Sequence, residues 1–163
     1  MNNTQTPGKR AFDLAATGLL LGVVVHAVAW IGGPRWLAAL GAPSSIVASA
    51  AAGTWPAVLG TLAITALLVM LALCCFRTAR GTRSSFQRGV LALFAVVFLT
   101  RGLLVLPFVL IDQRDWRTPL GHFVVTGQCF VPGSLVVLAI GVLISVGLIR
   151  TRLSWRALGQ DRA

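Results

Sequence analysis

Acidic residues are scarce in this sequence, and glutamate is absent. The four acidic residues are all aspartates, against 14 lysines and arginines, which gives a net charge of +10. Enzymes that need a pair of carboxylates for acid–base chemistry therefore have few possible sites. No carboxylate lies at the centre of a long apolar run, where exporters of cations carry theirs. The sequence thus argues against a small multidrug exporter.

Cysteine and histidine are also few. Three cysteines without a CxxC pair provide no disulfide framework and argue against a dithiol oxidase. His26 and His122 are the only histidines, which is too few for a two-haem cytochrome or a zinc site of clustered ligands. No nucleophile, base and orienting residue can be grouped into a catalytic triad. The sequence therefore predicts neither a metal nor another cofactor.

Long apolar runs make up most of the chain. Hydrophobic residues account for 56% of the sequence and charged residues for only 11%, whereas soluble domains carry about 25% charged residues. Four runs are long enough to cross the roughly 30 Å hydrocarbon layer of a bilayer as helices. We predict an all-α membrane protein with four transmembrane helices in an up-down bundle, the spans being about 11–31, 55–76, 89–111 and 131–149.

The segments between the runs predict where helices stop and start. Gly32-Gly33-Pro34 ends the first span, and the Ser44-Ser45 pair is expected to cap a short Ala-rich helix lying along the interface between spans 1 and 2. Pro107 is expected to bend the outer end of the third span. The last helix begins either near Pro119, as one kinked rod, or at Val131 after a shorter piece.

Basic residues predict the orientation of the chain. Ten lysines and arginines lie in residues 1–10, in the 77–88 loop and in the tail, against three in the other two connectors. The positive-inside rule therefore places the segment 1–10 and the basic tail, 150–163, in the cytoplasm, with a single transmembrane domain at 11–149 between them. The basic residues would meet anionic membrane lipids there. No basic helix with interleaved aromatics is present, so nucleic acid is not an expected partner.

Arg101 is the one charge inside the 89–111 run. A charge at the centre of a bilayer costs about 2.5–3.5 kcal/mol on insertion scales, so its partners are the main question. Depth in the bilayer is estimated by counting residues from the cytoplasmic end of each span at about 1.5 Å per residue. By this count Arg101 and three other polar residues lie within a layer of the membrane roughly 6 Å thick, and a tryptophan lies one helical turn further out. The candidate ligand-binding residues are therefore His26, Trp30, Thr65, Arg101 and Ser134.

Structural roles remain open for the same residues. Arg101 either holds an anionic ligand or snorkels outward to bind backbone carbonyls that Pro107 frees. His26 is either a ligand contact or a hydrogen-bonded packing residue. Trp30 either lines the site or anchors the first helix at the interface. No catalytic residue is assigned.

Three short sequence motifs resemble those of a known protein family. They are HAVAWIGG at 26–33, the pair Arg101-Gly102 and the pair Pro119-Leu120. With them the chain resembles a bacterial family of small four-helix integral membrane proteins catalogued as a domain of unknown function. The resemblance spans roughly residues 15–149 and implies a place in the bacterial inner membrane, but no activity. Gly121-His122 departs from it, because such proteins continue with apolar residues after the Pro-Leu pair.

Three kinds of function stay open. The first is to bind a small anionic or lipid-like molecule in a pocket in the outer half of the bundle, or to serve as an accessory subunit. The second is an enzyme acting on a lipid or isoprenoid, with His26 exchanging a proton and Arg101 holding a phosphate. The third is a structural, immunity or interaction role with a membrane protein partner. We favour the first because no catalytic arrangement is evident.

Overall fold

The computed structural model of the protein describes residues 8–82, 84–111, 115–118, 121–124 and 129–160. These residues form helices and one two-stranded hairpin: α1 (Lys9–Gly32), α2 (Pro34–Ala39), α3 (Ser44–Ala51), α4 (Trp55–Ala79), α5 (Ser85–Leu103), α6 (Val105–Ile111), β1 (Asp115–Thr118), β2 (Gly121–Val124) and α7 (Phe130–Gln160). Four stretches are long and apolar enough to cross a membrane: Lys9–Gly32, Trp55–Ala79, Ser85–Ile111 and Phe130–Arg152. The predicted all-α, four-span membrane fold is confirmed.

The end of α1 lies where the glycine pair predicts it. Gly33 has a φ of +78°, a conformation that side chains rarely adopt, and Pro34 is the first residue of α2. The indole of Trp36 covers Gly32 so closely that a Cβ there would lie 2.4 Å from its Cδ1. The chain therefore turns back at once against the end of α1. The sequence did not predict α2.

The short helix predicted between the first two spans is present as α3, but the predicted cap is wrong. Pro43 is the N-cap residue of α3, and no side chain caps the helix there. Ser49 makes the polar contacts instead: its Oγ accepts the Ala57 N–H at 2.9 Å and lies 2.7 Å from Thr54 Oγ1. Ala57 is in the first turn of α4, whose N–H groups lack partners within the helix. Ser49 thereby fixes α3 to the start of α4.

The third span is interrupted where Pro107 predicts a bend. α5 ends at Leu103 and α6 begins at Val105. Proline has no N–H to offer the carbonyl four residues earlier, which is that of Leu103, and its ring clashes with that carbonyl. At the other end α5 starts at Ser85, and Ser84 Oγ caps it by accepting the Gln87 N–H at 3.3 Å.

The described part of the segment before the last span forms two antiparallel strands and not a helix. β1 pairs antiparallel with β2, with Asp115 opposite Val124 and Thr118 opposite Gly121. The last helix, α7, begins at Phe130, so the alternative with a start near Val131 is confirmed and the helix starting near Pro119 is wrong. Pro119 itself lies outside the described residues. α7 continues through part of the basic tail as far as Gln160.

Close contacts show that neighbouring spans run antiparallel. A Cβ on Gly18 would meet Ile140 Cγ1 at 3.0 Å, and Phe12 packs against Gly147 further along α7. α1 packs most extensively against α4 and also against α7, and α5 packs mainly against α7. α1 therefore lies between α4 and α7. The predicted up-down bundle is confirmed.

The apolar core lies toward one end of the bundle. On α1 the core residues are confined to the first half of the helix, from Phe12 to Leu19, and they pack with buried residues of α4, α5 and α7. In the second half of α1, Ala29 is the one buried residue. The end of the bundle that carries α2 and α3 is therefore less tightly filled, and the candidate site lies there.

Candidate functional site

A cavity of about 260 Å³ lies between the second half of α1, the α2–α3 connector and the first half of α4. We call it the connector cavity. Its walls are almost entirely aliphatic: His26, Ala29, Leu37, Leu40, Gly41, Ala42, Pro43, Ile46, Gly60, Thr61 and Ile64. Small residues on the two long helices leave the space that the connector then covers. A concave, apolar site with a few polar groups is typical of small-molecule binding.

His26 supplies one of the two polar side chains that line the connector cavity. Its Nδ1 lies 2.8 Å from the carbonyl oxygen of Gly22, one turn earlier on α1. A carbonyl only accepts, so Nδ1 carries the proton of this hydrogen bond. In the neutral ring Nε2 is then a hydrogen-bond acceptor. The backbone of α1 thus fixes both the orientation of the ring and its tautomer.

Thr61 supplies the other polar side chain, from the facing wall on α4. Its hydroxyl can both donate and accept a hydrogen bond. No charged side chain is among the residues that line the cavity in the described part of the chain. Two hydrogen-bonding groups in an aliphatic space suit a ligand with an apolar body and one uncharged polar end.

Arg101 lies elsewhere, on the surface where α5 meets α7. Its Nη1 donates to Ser134 Oγ at 3.0 Å, and its Cζ lies 4.9 Å from the centre of the Phe130 ring, within the range of a cation–π contact. Ser134 is fully buried, whereas Arg101 is exposed. The arginine therefore reaches across the α5–α7 contact and satisfies a buried hydroxyl. We call these three residues the arginine cluster.

Glycines bring α5 and α7 close enough for this contact. A Cβ on Gly102 would lie 2.6 Å from Leu138 Cβ and 2.7 Å from Leu138 Cα. A Cβ on Gly141 would meet the backbone nitrogen of Leu99 at 3.0 Å. Small residues at such positions let helix backbones approach closely in a bilayer.

The structure therefore divides the predicted residues between two places. It joins Arg101 to Ser134, and it places His26 on the connector cavity. Thr65 is half-buried on α4, one turn from Thr61, and does not line the cavity. Trp30 is 40% exposed on α1 and also lies off the cavity. No contact between His26 and Arg101 is present in the described part of the chain.

Sequence reasoning missed some residues of both places. Phe130, which covers the Arg101 guanidinium, precedes the last predicted span and carried no signal of its own. Thr61 was not among the predicted site residues. The connector residues that close the cavity carry a weak signal: the 22-residue segment 32–53 has a single charge, and a short helix along the interface was predicted within it.

Comparison with known proteins gives no match: no protein family, curated protein or solved structure aligns significantly with this chain. The resemblance of its short motifs to a four-helix family therefore stays a prediction. Function has to be argued from the cavity and from the arginine cluster.

Proposed function

We propose that the protein binds a small lipid-like molecule in the connector cavity. The observation that carries the proposal is the cavity itself, an aliphatic space of about 260 Å³ with His26 and Thr61 as its two polar side chains. Burying apolar ligand surface there yields roughly 25 cal/mol per Å² before the costs of ordering. The apolar body of the ligand supplies the binding free energy, and its polar end fixes the orientation.

The polar groups favour an uncharged end on the ligand. His26 uses Nδ1–H on the Gly22 carbonyl, which leaves Nε2 as an acceptor for a ligand hydroxyl or amide N–H. Thr61 accepts or donates as the ligand requires. A carboxylate or phosphate would enter an aliphatic space with no lining cation, at a high desolvation cost. Of the two ligand classes that the sequence left open, the cavity therefore supports the lipid-like one.

Binding is better supported than catalysis. The enzyme hypothesis needs His26 to exchange a proton while Arg101 holds a phosphate on the same molecule. His26 lies on the cavity between α1 and α4, whereas Arg101 bonds to Ser134 at the α5–α7 contact. No residue of α5 or α7 lines the cavity in the described part of the chain, so one small molecule would not reach both.

The experiment is to fill the cavity and to analyse the molecules that co-purify. A Cβ on Gly60 would meet only Ile46 Cδ1, at 3.7 Å, so Gly60→Leu is accommodated and places its branched end in the cavity. Gly89→Leu is the matched control, because a Cβ there meets nothing within 4 Å on the surface of α5. Each protein is extracted in a styrene–maleic acid polymer, and its bound molecules are identified by mass spectrometry.

We expect one apolar compound with a hydroxyl or amide end to be enriched with wild type and with Gly89→Leu. It should be depleted at least tenfold from Gly60→Leu, because the filled cavity no longer admits it. The same profile of bound molecules from all three proteins would contradict the proposal. A co-purifying compound that is anionic would contradict the proposed uncharged ligand end.

We further propose that the protein lies in the bacterial inner membrane with both termini in the cytoplasm. Ten of the lysines and arginines fall on the proposed inner side, in agreement with the positive-inside rule. Cys129, at the start of α7, is exposed, while Cys75 is buried and Cys74 is half-buried. A membrane-impermeant maleimide added to intact spheroplasts should label wild type but not Cys129→Ser. Labelling of Cys129 only after lysis would reverse the orientation.

A further inference from the structure

We propose that the arginine cluster is a second, separate binding site, which seats the phosphate of a membrane phospholipid. Arg101, Ser134 and Phe130 form it at the α5–α7 contact, away from the connector cavity. The lipid would be held by its phosphate at the guanidinium and by its acyl chains on the apolar surface around it. The proposal does not depend on a ligand in the cavity.

The charge of Arg101 calls for an anion. Asp13 is the only acidic residue whose side chain the structure describes. It lies beside Phe12, which packs on Gly147, thirteen residues along α7 from the Ser134 that Arg101 contacts. At 1.5 Å per residue this separation is about 20 Å. Within the described residues, Arg101 therefore has no carboxylate to balance its charge.

The geometry of Arg101 leaves room for two hydrogen bonds to a phosphate. The guanidinium carries five N–H donors in a planar fork. Ser134 takes one through Nη1, and Cζ lies 4.9 Å from the centre of the Phe130 ring. The remaining donors lie in the plane, where a phosphate accepts them in pairs. The two contacts to α7 fix the fork and lower the entropy cost of that binding.

The start of α7 adds space and a favourable field. A Cβ on Gly133, one residue before Ser134, would meet nothing within 4 Å. Ser134 is four residues from the first residue of α7, so the guanidinium lies about 6 Å from that helix end. The N-terminal end of α7 is the positive end of its helix dipole, so it disfavours an unpaired guanidinium nearby. An anion bound between the guanidinium and the helix end is favoured by both. Arg101 supplies the positive charge that binds the phosphate, and the end of α7 adds a weaker attraction for the same phosphate.

The surroundings identify the anion as part of a lipid. Leu103 and Leu106, two and five residues after Arg101 in the chain, are 47% and 48% exposed, and Leu135 and Val136, one and two residues after Ser134, are 52% and 56% exposed. These side chains lie within the candidate membrane spans Ser85–Ile111 and Phe130–Arg152. An anion that reaches Arg101 from the bilayer arrives with acyl chains attached, and exposed aliphatic side chains suit those chains. A soluble phosphate would gain nothing from that surface.

The test compares two lipids that share their acyl chains and differ in the phosphoglycerol headgroup. Protein in mixed micelles is given equal amounts of dioleoylphosphatidylglycerol and dioleoylglycerol, and native mass spectrometry counts the lipids that stay bound. We expect wild type to retain the phosphatidyl lipid at least tenfold better, which is the scale of a charge-assisted bidentate pair. Arg101→Gln should abolish the preference, and Arg101→Lys should keep part of it, because lysine retains the charge without the fork.

Two further variants keep the test decisive if Arg101→Gln folds poorly. Gly133→Leu leaves Arg101 and Ser134 in place but fills the open space beside them, so it should also lower phospholipid retention severalfold. Arg88→Gln removes an exposed arginine at the other end of α5 and should lower retention far less than Arg101→Gln, because Arg88 is one of ten basic residues on the proposed cytoplasmic side that meet anionic lipids. The proposal is overturned if wild type retains both lipids equally, or if Arg88→Gln loses as much as Arg101→Gln. Displacement of the lipid by millimolar inorganic phosphate would instead identify a site for free phosphate.

Discussion

Replacing Gly102 with alanine should disturb the contact between α5 and α7 more than the same change at Gly141, the other glycine of this contact, where the nearest atom would lie 3.0 Å from the new Cβ. The new Cβ would lie 2.6 Å from Leu138 Cβ and 2.7 Å from Leu138 Cα, whereas carbon atoms pack best at about 3.5–4.0 Å. One of these neighbours is backbone, so the clash is relieved only if the helices move apart by about 1 Å. Overpacking of this kind costs about 1–3 kcal/mol.

Gly89→Ala is the control, because it makes the same chemical change in the same helix. A Cβ on Gly89 meets nothing within 4 Å, so the substitution brings only the better helix propensity of alanine, up to about 1 kcal/mol. The free energy of unfolding of each protein is measured by steric trapping in bicelles. We expect Gly102→Ala to be less stable than Gly89→Ala by about 1–3 kcal/mol.

A second readout links the contact to Arg101. The Arg101–Ser134 hydrogen bond is 3.0 Å long, and moving the helices apart by about 1 Å would take it beyond hydrogen-bond range. Phospholipid retention should therefore fall in Gly102→Ala but not in Gly89→Ala. Equal stability of the two variants would refute the close α5–α7 approach, and with it the geometry of the arginine cluster.

Three further predictions concern the cavity, the link between α3 and α4, and the contact between α1 and α7. Thr61→Val keeps the side-chain volume but removes the hydroxyl, so the affinity for octanol measured by calorimetry should fall about two- to tenfold. An equal loss of affinity for octane would contradict a hydrogen bond between Thr61 and the ligand. Ser49→Ala leaves the Ala57 N–H without its side-chain acceptor, and steric trapping should show a loss of about 1–2 kcal/mol; an unchanged stability would refute the link between α3 and α4. Gly147→Ala would place a Cβ 2.8 Å from the ring of Phe12 and should cost about 1–3 kcal/mol by the same assay; no loss would refute the close α1–α7 packing.

The spans were predictable because a bilayer imposes a minimum length on an apolar helix. The break near Pro107 was also predictable, since the missing N–H affects one particular carbonyl, that of Leu103. The pair of strands at Asp115–Thr118 and Gly121–Val124 was not. Its strands are four residues each, too short for periodicity to separate them from the first turn of a helix.

Counting depth along the spans predicted one contact of the candidate site, between Arg101 and Ser134, but could not predict how the helices are rotated. Counting residues along straight spans places His26, Arg101 and Ser134 at similar heights, and the structure joins the second to the third. The side of the bundle that each residue faces depends on helix packing. Gly102 and Gly141 determine that packing through backbone contacts that composition alone does not reveal. Sequence reasoning therefore grouped residues that the fold places around two different helix pairs.

The most direct test of ligand binding in the connector cavity is to label the protein with a photoreactive octanol. At about 30 Å³ per water molecule the cavity has room for roughly nine non-hydrogen atoms, which is the size of octanol. After irradiation of the protein in nanodiscs, labelled residues are identified by peptide mass spectrometry. We predict label on Ala29, Leu40, Ile46 and Ile64, prevented by excess octanol and absent from Gly60→Leu. Label spread over lipid-facing side chains such as Leu110 and Ile31, unchanged by octanol or by Gly60→Leu, would contradict the proposal.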